Sequence, residues 1–263
     1  MGIWFVLLAA LFVTTLVTGI ISVLHHHLGH LFMFAFTGLI LFSSIEVGLL
    51  LKLRSNVVNF SKAWSATADY EAPGLVYVAL GDSAAQGVGA SSIDRSYVHI
   101  ISQAISRSTG RPVTTINLSR SGAKLADVLR DQIPQLAKFK PALITVDVGS
   151  NDITAGTSQA EMVAGYPQLA KALQPYNAIM ANIPDFMWGT QQRNTNDLNI
   201  AIKEVCARYN VQLADLHTKT NRKMWGWNEF AVDGFHPSNA GYKTWASAFL
   251  PLITDLLAKK DNH

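Results

Sequence analysis

Charge is scarce in this 263-residue chain and nearly missing from its first fifth. Lys, Arg, Asp and Glu make up 15% of the residues, against roughly a quarter in ordinary soluble domains. Positions 2–51 carry one formal charge, Glu46, and no lysine or arginine precedes Lys52. A surface written for water is thereby excluded from the N-terminal region. A cleaved secretory signal fits poorly, because it needs a basic start and an apolar core of only about 7–15 residues. The Ala66–Ala68 triplet lies too far beyond the second apolar run to serve as its cleavage site. Cysteine is also rare: Cys206 is the only one, so no intrachain disulfide is available. Basic runs are lacking too. Beyond Leu51 there are 21 basic and 17 acidic residues, a formal +4, which fits an anionic membrane surface better than nucleic acid. No G-x-S-x-G occurs, which disfavours an ordinary α/β-hydrolase elbow. No G-x-G-x-x-G or G-x-x-x-x-G-K-[ST] occurs either, which disfavours nucleotide binding.

Two long apolar segments fill the region that lacks charge, Gly2–Leu24 and Leu31–Leu51. As helices each would be roughly 30 Å or longer, enough to cross a bilayer core. The polar break between them is HHHLGH, His25 to His30. The expected organisation is a membrane anchor over residues 1–54 with two transmembrane helices, a linker over 55–73, and one domain over 74–263. That last part is about 190 residues, enough for one substantial core. Lys52, Arg54 and Lys62 follow the second segment, so the positive-inside rule puts the large domain in the cytoplasm. Glu46 lies near the end of its segment, where a carboxylate can reach the interface or pair with a neighbour. His26 and His30 have the i, i+4 spacing of zinc ligands on a helix. With Gly29 between them and no carboxylate or cysteine nearby, they read as an interfacial turn, and no metal or cofactor is expected.

From Leu75 onward, short runs rich in β-branched residues alternate with amphipathic stretches. The strand candidates are Leu75–Leu80, Val113–Leu118, Ala142–Val148, Asn177–Ile183 and Val211–Leu216. Between them, Tyr97, Ile100, Ile101, Ala104 and Ile105 share one helical face, as do Leu125, Val128, Leu129, Ile133 and Leu136. Pro134 should split the second of these. Further helices are expected over Asp197–Asn210 and from Asn239 to about Ala258. Continuous rather than alternating apolar strands imply a parallel sheet covered on both faces, a three-layer α/β/α sandwich.

Loops leaving the carboxyl ends of such strands gather on one edge, where sites form. They carry Asp82 and Ser83 after the first strand and Gly122 after the second. Asn151 follows the third, and Asp233 and His236 follow the fifth. A serine nucleophile needs a base, a carboxylate to orient that base, and donors for an oxyanion. Each residue has a plainer alternative: Asp233 as a helix cap, His236 as a surface residue, Asn151 as a turn former. The three-residue spacing of Asp233 and His236 would let the carboxylate reach the near ring nitrogen within one helical turn, leaving the far nitrogen for Ser83.

The blocks GDS (Gly81–Ser83), NLSRSGA (Asn117–Ala123), GSND (Gly149–Asp152) and DGFHP (Asp233–Pro237) stand in the order and spacing of a known family. The sequence resembles the SGNH, or GDSL-type, esterases and lipases over Val76 to about Tyr242. That resemblance implies a flavodoxin-like five-stranded fold with Ser83 as nucleophile, His236 as base and Asp233 as its orienting acid. It also implies an oxyanion hole made by the Ser83 and Gly122 backbone N–H groups and the Asn151 amide. Ala84 follows the serine where the family's name-giving motif has Leu. The implied activity is hydrolysis of a lipid or other acyl ester through an acyl-enzyme. Glycan deacetylation, acyl transfer and an inactive membrane-anchored binding module are the alternatives. Many membrane-anchored relatives work outside the cytoplasm, against the positive-inside reading. Phe186, Met187, Trp188, Trp225, Trp227 and Phe230 are candidate acyl-binding walls, and equally candidate core residues.

Overall fold

Leu75, Tyr77 and Ala79 face one side of a strand while Val76, Val78 and Leu80 face the other, and all but Val76 are buried. A strand apolar on both faces must lie inside a covered sheet. The structure, a computed structural model, describes residues 3–24, 29–66, 74–185, 190–221 and 227–260. Its elements run α1 (Ile3–Leu24), α2 (Gly29–Ala66), β1 (Leu75–Gly81), α3 (Ser83–Gln86), α4 (Tyr97–Thr109), β2 (Val113–Asn117) and α5 (Leu125–Asp127). They continue with β3 (Leu143–Asp147), α6 (Ser150–Thr154), α7 (Gln159–Leu173), β4 (Ala178–Ala181), α8 (Thr190–Tyr209), β5 (Gln212–Ala214), α9 (Leu216–Thr220) and α10 (Asn239–Lys260). All five expected strands are present.

The sheet is parallel throughout, in the order β2-β1-β3-β4-β5. Tyr77, Ala79, Ile179 and Ala181 join a core with α4, α10 and the end of α2. Val78, Leu80, Ile144, Val146 and Met180 join a second core with α7, α8 and the segment after α5. These two cores are the spaces between the layers of the expected α/β/α sandwich. The strand order reverses at β1, which has β2 on one side and β3 on the other. Gly81 pairs with Asp147, so β1 and β3 end level with each other. A crevice at this switch point is where ligands enter folds of this kind.

Pro134 acts as expected. The segment after β2 is a turn of α-helix, a π turn over Val128–Gln132 and a 3-10 stretch over Ile133–Lys138. The sequence pattern singles out no helix over Gln159–Leu173, yet α7 forms there around Pro167, started by a Ser158–Glu161 capping box.

Residues 55–66, expected as linker, are the last turns of α2. No glycine or proline interrupts the chain from Leu49 to Ala66, and Phe60 and Trp64 are buried in the first core. Among the described residues, one stretch, Met33–Ser65, is long and apolar enough to cross a membrane. The described part of α1 contains a shorter apolar run, Leu11–Ile21. Large exposed apolar side chains such as Phe12, Leu16, Phe34, Leu41 and Ile45 concentrate on these two helices, a patch that marks a lipid or protein contact. Glu46 is buried rather than turned outward.

Trp245 of α10 donates from Nε1 to Asp147 Oδ2 at 3.1 Å, fastening that helix to the end of β3. Burial pushes the Asp147 carboxyl up to about 6, against the pull of this hydrogen bond. An acid raised in the fold binds more protons folded than unfolded, so stability falls as pH climbs from about 4 to about 6 and stays lower above. Asp147→Asn should therefore melt higher than wild type at pH 7.5, on the order of 5 °C. The gain should vanish near pH 4, as thermal melts across pH would record.

Candidate active site

Ser83 opens α3 immediately after β1 and is buried. Asp82 caps that helix, its Oδ1 accepting from Ala84 N at 2.9 Å, so the serine sits at the helix start, where backbone N–H groups lack intrahelical partners. Its hydroxyl lies 2.9 Å from His236 Nε2. His236 Nδ1 lies 2.5 Å from Asp233 Oδ2. The relay therefore runs Ser83 to His236 to Asp233 across 153 residues of sequence separation.

The loop that carries Asp233 and His236 is not a helical turn, as the spacing alone had suggested. Phe230 and Pro237 form an antiparallel bridge, and Ala231 N donates to His236 O at 2.7 Å. Within this loop Asp233 Oδ1 accepts from Phe235 N and His236 N, both at 3.0 Å. Glycine at 234 and these carboxylate bonds favour a tight turn over a helix. Asp233 does not cap α10; Ser238 Oγ does, accepting from Ala240 N and Gly241 N. Burial raises the Asp233 carboxyl, but the His236 hydrogen bond and charge with the two backbone donors outweigh it and hold it below its ordinary value.

Gly122 lies at φ +78° with open space where a side chain would project. Such a conformation is costly for any other residue. The neighbouring Ser121 is pinned by Gln86, whose Oε1 accepts from Ser121 N at 3.2 Å and from its hydroxyl. Asn151, on α6, donates from Nδ2 to Asp82 Oδ2 and to Ala123 O, each at 3.1 Å. Its amide is thus held between the GDS block and the Gly122 loop, with both hydrogens already engaged.

Asp82, Asp147 and Asp152 form a buried acidic group behind the serine. Burial and then the nearby Asp147 charge hold Asp82 well above the usual carboxylate range, and burial also raises Asp152. These three shift opposite to Asp233, which alone of the four has a histidine partner.

A cleft of about 90 Å³ opens at Ser83 and His236, lined by Pro184, Asp185, Phe230, Phe235, Pro237 and Trp245 among others. Phe235 meets the His236 ring edge-on at 5.1 Å. Of the aromatic walls expected from sequence, Phe230 reaches this cleft. Phe186, Met187, Trp188 and Trp225 lie outside the described residues, as does the Trp227 side chain. The same holds for the His25–His30 cluster, whose side chains are not described; among the described residues no group of three or more His, Cys, Asp or Glu could hold a metal. Gln86, Asp147 and Trp245 were not singled out in the sequence, although Gln86 stands only three positions after Ser83.

Among solved structures, the chain is similar to an α/β hydrolase, LAE5, from the metagenome of Lake Arreo, Spain. The two share 21% identity and a TM-score of 0.60, covering 72% of this chain and 98% of that one. TesA matches at 21% identity and a TM-score of 0.58, covering 69% and 99%. A variant of Axe2, an acetyl xylan esterase from Geobacillus stearothermophilus, matches at 20% and 0.59, covering 68% and 94%. At such identities the likeness establishes the fold. No curated protein sequence matches. The model of the GDSL-like lipase/acylhydrolase family, however, matches residues 79–244. That stretch spans all four sequence blocks and more than half of the chain, and on it the protein belongs to the GDSL-like lipase/acylhydrolase family.

Proposed function

We propose that this protein is a serine esterase in which Ser83, His236 and Asp233 form the catalytic triad. The observation that carries the reading is the continuous hydrogen-bonded line from the Ser83 hydroxyl through the imidazole to a carboxylate, inside an apolar cleft. His236 Nε2 takes the Ser83 proton as Oγ bonds to the ester carbonyl carbon. Asp233 holds the Nδ1 proton and stabilises the imidazolium. The carbonyl oxygen becomes an oxyanion, served by the N–H groups of Ser83 and Gly122 and by Asn151 Nδ2, which shares a hydrogen now given to Asp82 or Ala123. His236 then returns its proton to the departing alkoxide, leaving an acyl-serine. Water, deprotonated by the same nitrogen, releases the acid and restores Ser83.

The substrate class this reading favours is a lipid ester: the apolar stretch Met33–Ser65 of α2, with the apolar α1 before it, suits a membrane anchor, and Phe230, Phe235 and Trp245 line the cleft. A short acyl group such as acetate on a glycan is the second reading. It is favoured by the cleft's volume of about 90 Å³, small beside the several hundred Å³ usual for larger ligands. By the positive-inside rule, Lys52 and Arg54 favour a cytoplasmic hydrolase domain, whereas the habit of membrane-anchored relatives favours the outside.

The full-length protein should hydrolyse p-nitrophenyl esters and be labelled by a fluorophosphonate, with both properties lost in Ser83→Ala. Absence of hydrolysis and labelling in wild type would leave only the binding-module reading. A rate that rises from acetate to decanoate supports lipid, and one that falls supports the glycan. Asn151→Ala should lower kcat on the order of 100-fold with the protein still folded; an unchanged kcat would remove Asn151 from the oxyanion hole. Protease added to intact cells should spare the domain and cut it only after permeabilisation.

A further inference from the structure

The nucleophile's helix is followed by a segment, Gln86–Ser91, that makes contacts on two sides. On one side is the far end of α2. Trp64 Nε1 donates to Gln86 O at 3.0 Å, and Asn56 Nδ2 donates to Ala90 O at 3.1 Å. Trp64 is 6% and Asn56 9% exposed, so both bonds lie out of water, where a lost donor strands a carbonyl. On the other side are the loops of the proposed site. The Gln86 side chain holds Ser121, beside Gly122. Val88 O accepts from the Tyr242 hydroxyl at 2.6 Å, and Ser91 N donates to Asn239 Oδ1 at 2.8 Å. Gly89 presses against the histidine loop: a Cβ there would meet Pro237 O at 2.4 Å and His236 Cβ at 2.9 Å.

We propose that the end of α2 is part of the hydrolytic machinery: Asn56 and Trp64 are positioning residues that, through Gln86–Ser91, set the Gly122 loop and His236 against Ser83. The inference rests on the esterase reading. Its physical basis is that catalysis tolerates little misplacement, an error near 1 Å costing up to about 100-fold. The Gln86–Ser91 segment has no regular element of its own beyond the C-terminal residue of α3; turn bonds such as Val88 N to Ser83 O and Ala90 N to Gly87 O shape it, and bonds from outside tie both of its ends to α2. Those two bonds come from the helix that holds the apolar stretch Met33–Ser65.

The test uses the full chain in detergent micelles. Trp64→Phe keeps an aromatic ring, though a smaller one, and removes the N–H, and Asn56→Ala removes the other donor. Ile253→Val, in the same core but on α10, provides a stability control. Each donor variant should lower kcat for p-nitrophenyl acetate on the order of 10-fold while KM stays within about twofold. Deuterium uptake should rise at residues 84–91 and 119–123. Ile253→Val should lose thermal stability without the kcat loss. Wild-type kcat and wild-type uptake in both donor variants would overturn the proposal, as would a kcat loss in Ile253→Val matched to its melting temperature. Should wild type hydrolyse no ester, the esterase reading falls, and uptake at the two segments still decides whether α2 fixes them. If Trp64→Phe does not fold, Asn56→Ala decides alone.

Discussion

Gly81 and Asp147 are partners across two parallel strands, and from that one level ending the rest of the site is measured out. Ser83 stands two residues past the end of β1 and Asn151 four past the end of β3, so the Asn151 amide reaches Asp82, beside the serine, without either loop having to stretch. The ending is fixed from below as well. Gln132, buried in the segment after α5, bonds both the N–H and the C=O of Gly81 at 2.8 Å, which satisfies two backbone groups just where the ladder stops. The third functional loop has a different origin: it comes from beyond β5, and its turn is held by Asp233 bonding its own backbone. One carboxylate thus shapes the loop with one oxygen and orients the imidazole with the other.

The site's electrostatics divide along the same line. Asp233 has a histidine and two N–H donors and remains ionised well into the acid range. Asp82, Asp147 and Asp152 lie behind the serine, where burial works against ionisation. Asp82 keeps two hydrogen-bond donors, Ala84 N and Asn151 Nδ2, so its role is to hold neighbours in place. Burial and the nearby Asp147 charge raise its carboxyl, opposite to the shift of Asp233.

Much of this was legible in the sequence, for identifiable reasons. The central strands β1, β3 and β4 are buried along nearly their whole length, so their pattern survives any detail of packing. Three of the four blocks place Ser83, Gly122 and Asn151 just past the ends of β1, β2 and β3, which topology gathers, while His236 arrives on a longer connection after β5. Less legible was whatever depends on partners distant in sequence. α7 hides behind Gly165 and Pro167, whose local propensity opposes a helix until Leu125 and the second core pack on it. The Asp233 loop follows from side-chain bonds to nearby backbone rather than from i, i+3 helical spacing. Gln86 and Trp245 carry no motif, and their importance appears only when Ser121 and Asp147 are found beside them. The helical continuation of residues 55–66 was not legible, because hydrophobicity fades after Leu51 whereas helical propensity does not, and the burial of Phe60 and Trp64 depends on strands distant in sequence.

The unbroken run of α2 has a mechanical meaning. From Leu51 to Trp64 an α-helix rises about 20 Å, so a tilt of roughly 3° about the apolar end moves the indole by about 1 Å. Helices that cross a bilayer change tilt with the thickness of the hydrocarbon layer they must match. A stiff rod bonded at one end to the backbone beside the proposed nucleophile would work as a lever, and the composition of the surrounding lipid would become a force on the far end of that lever rather than a passive solvent.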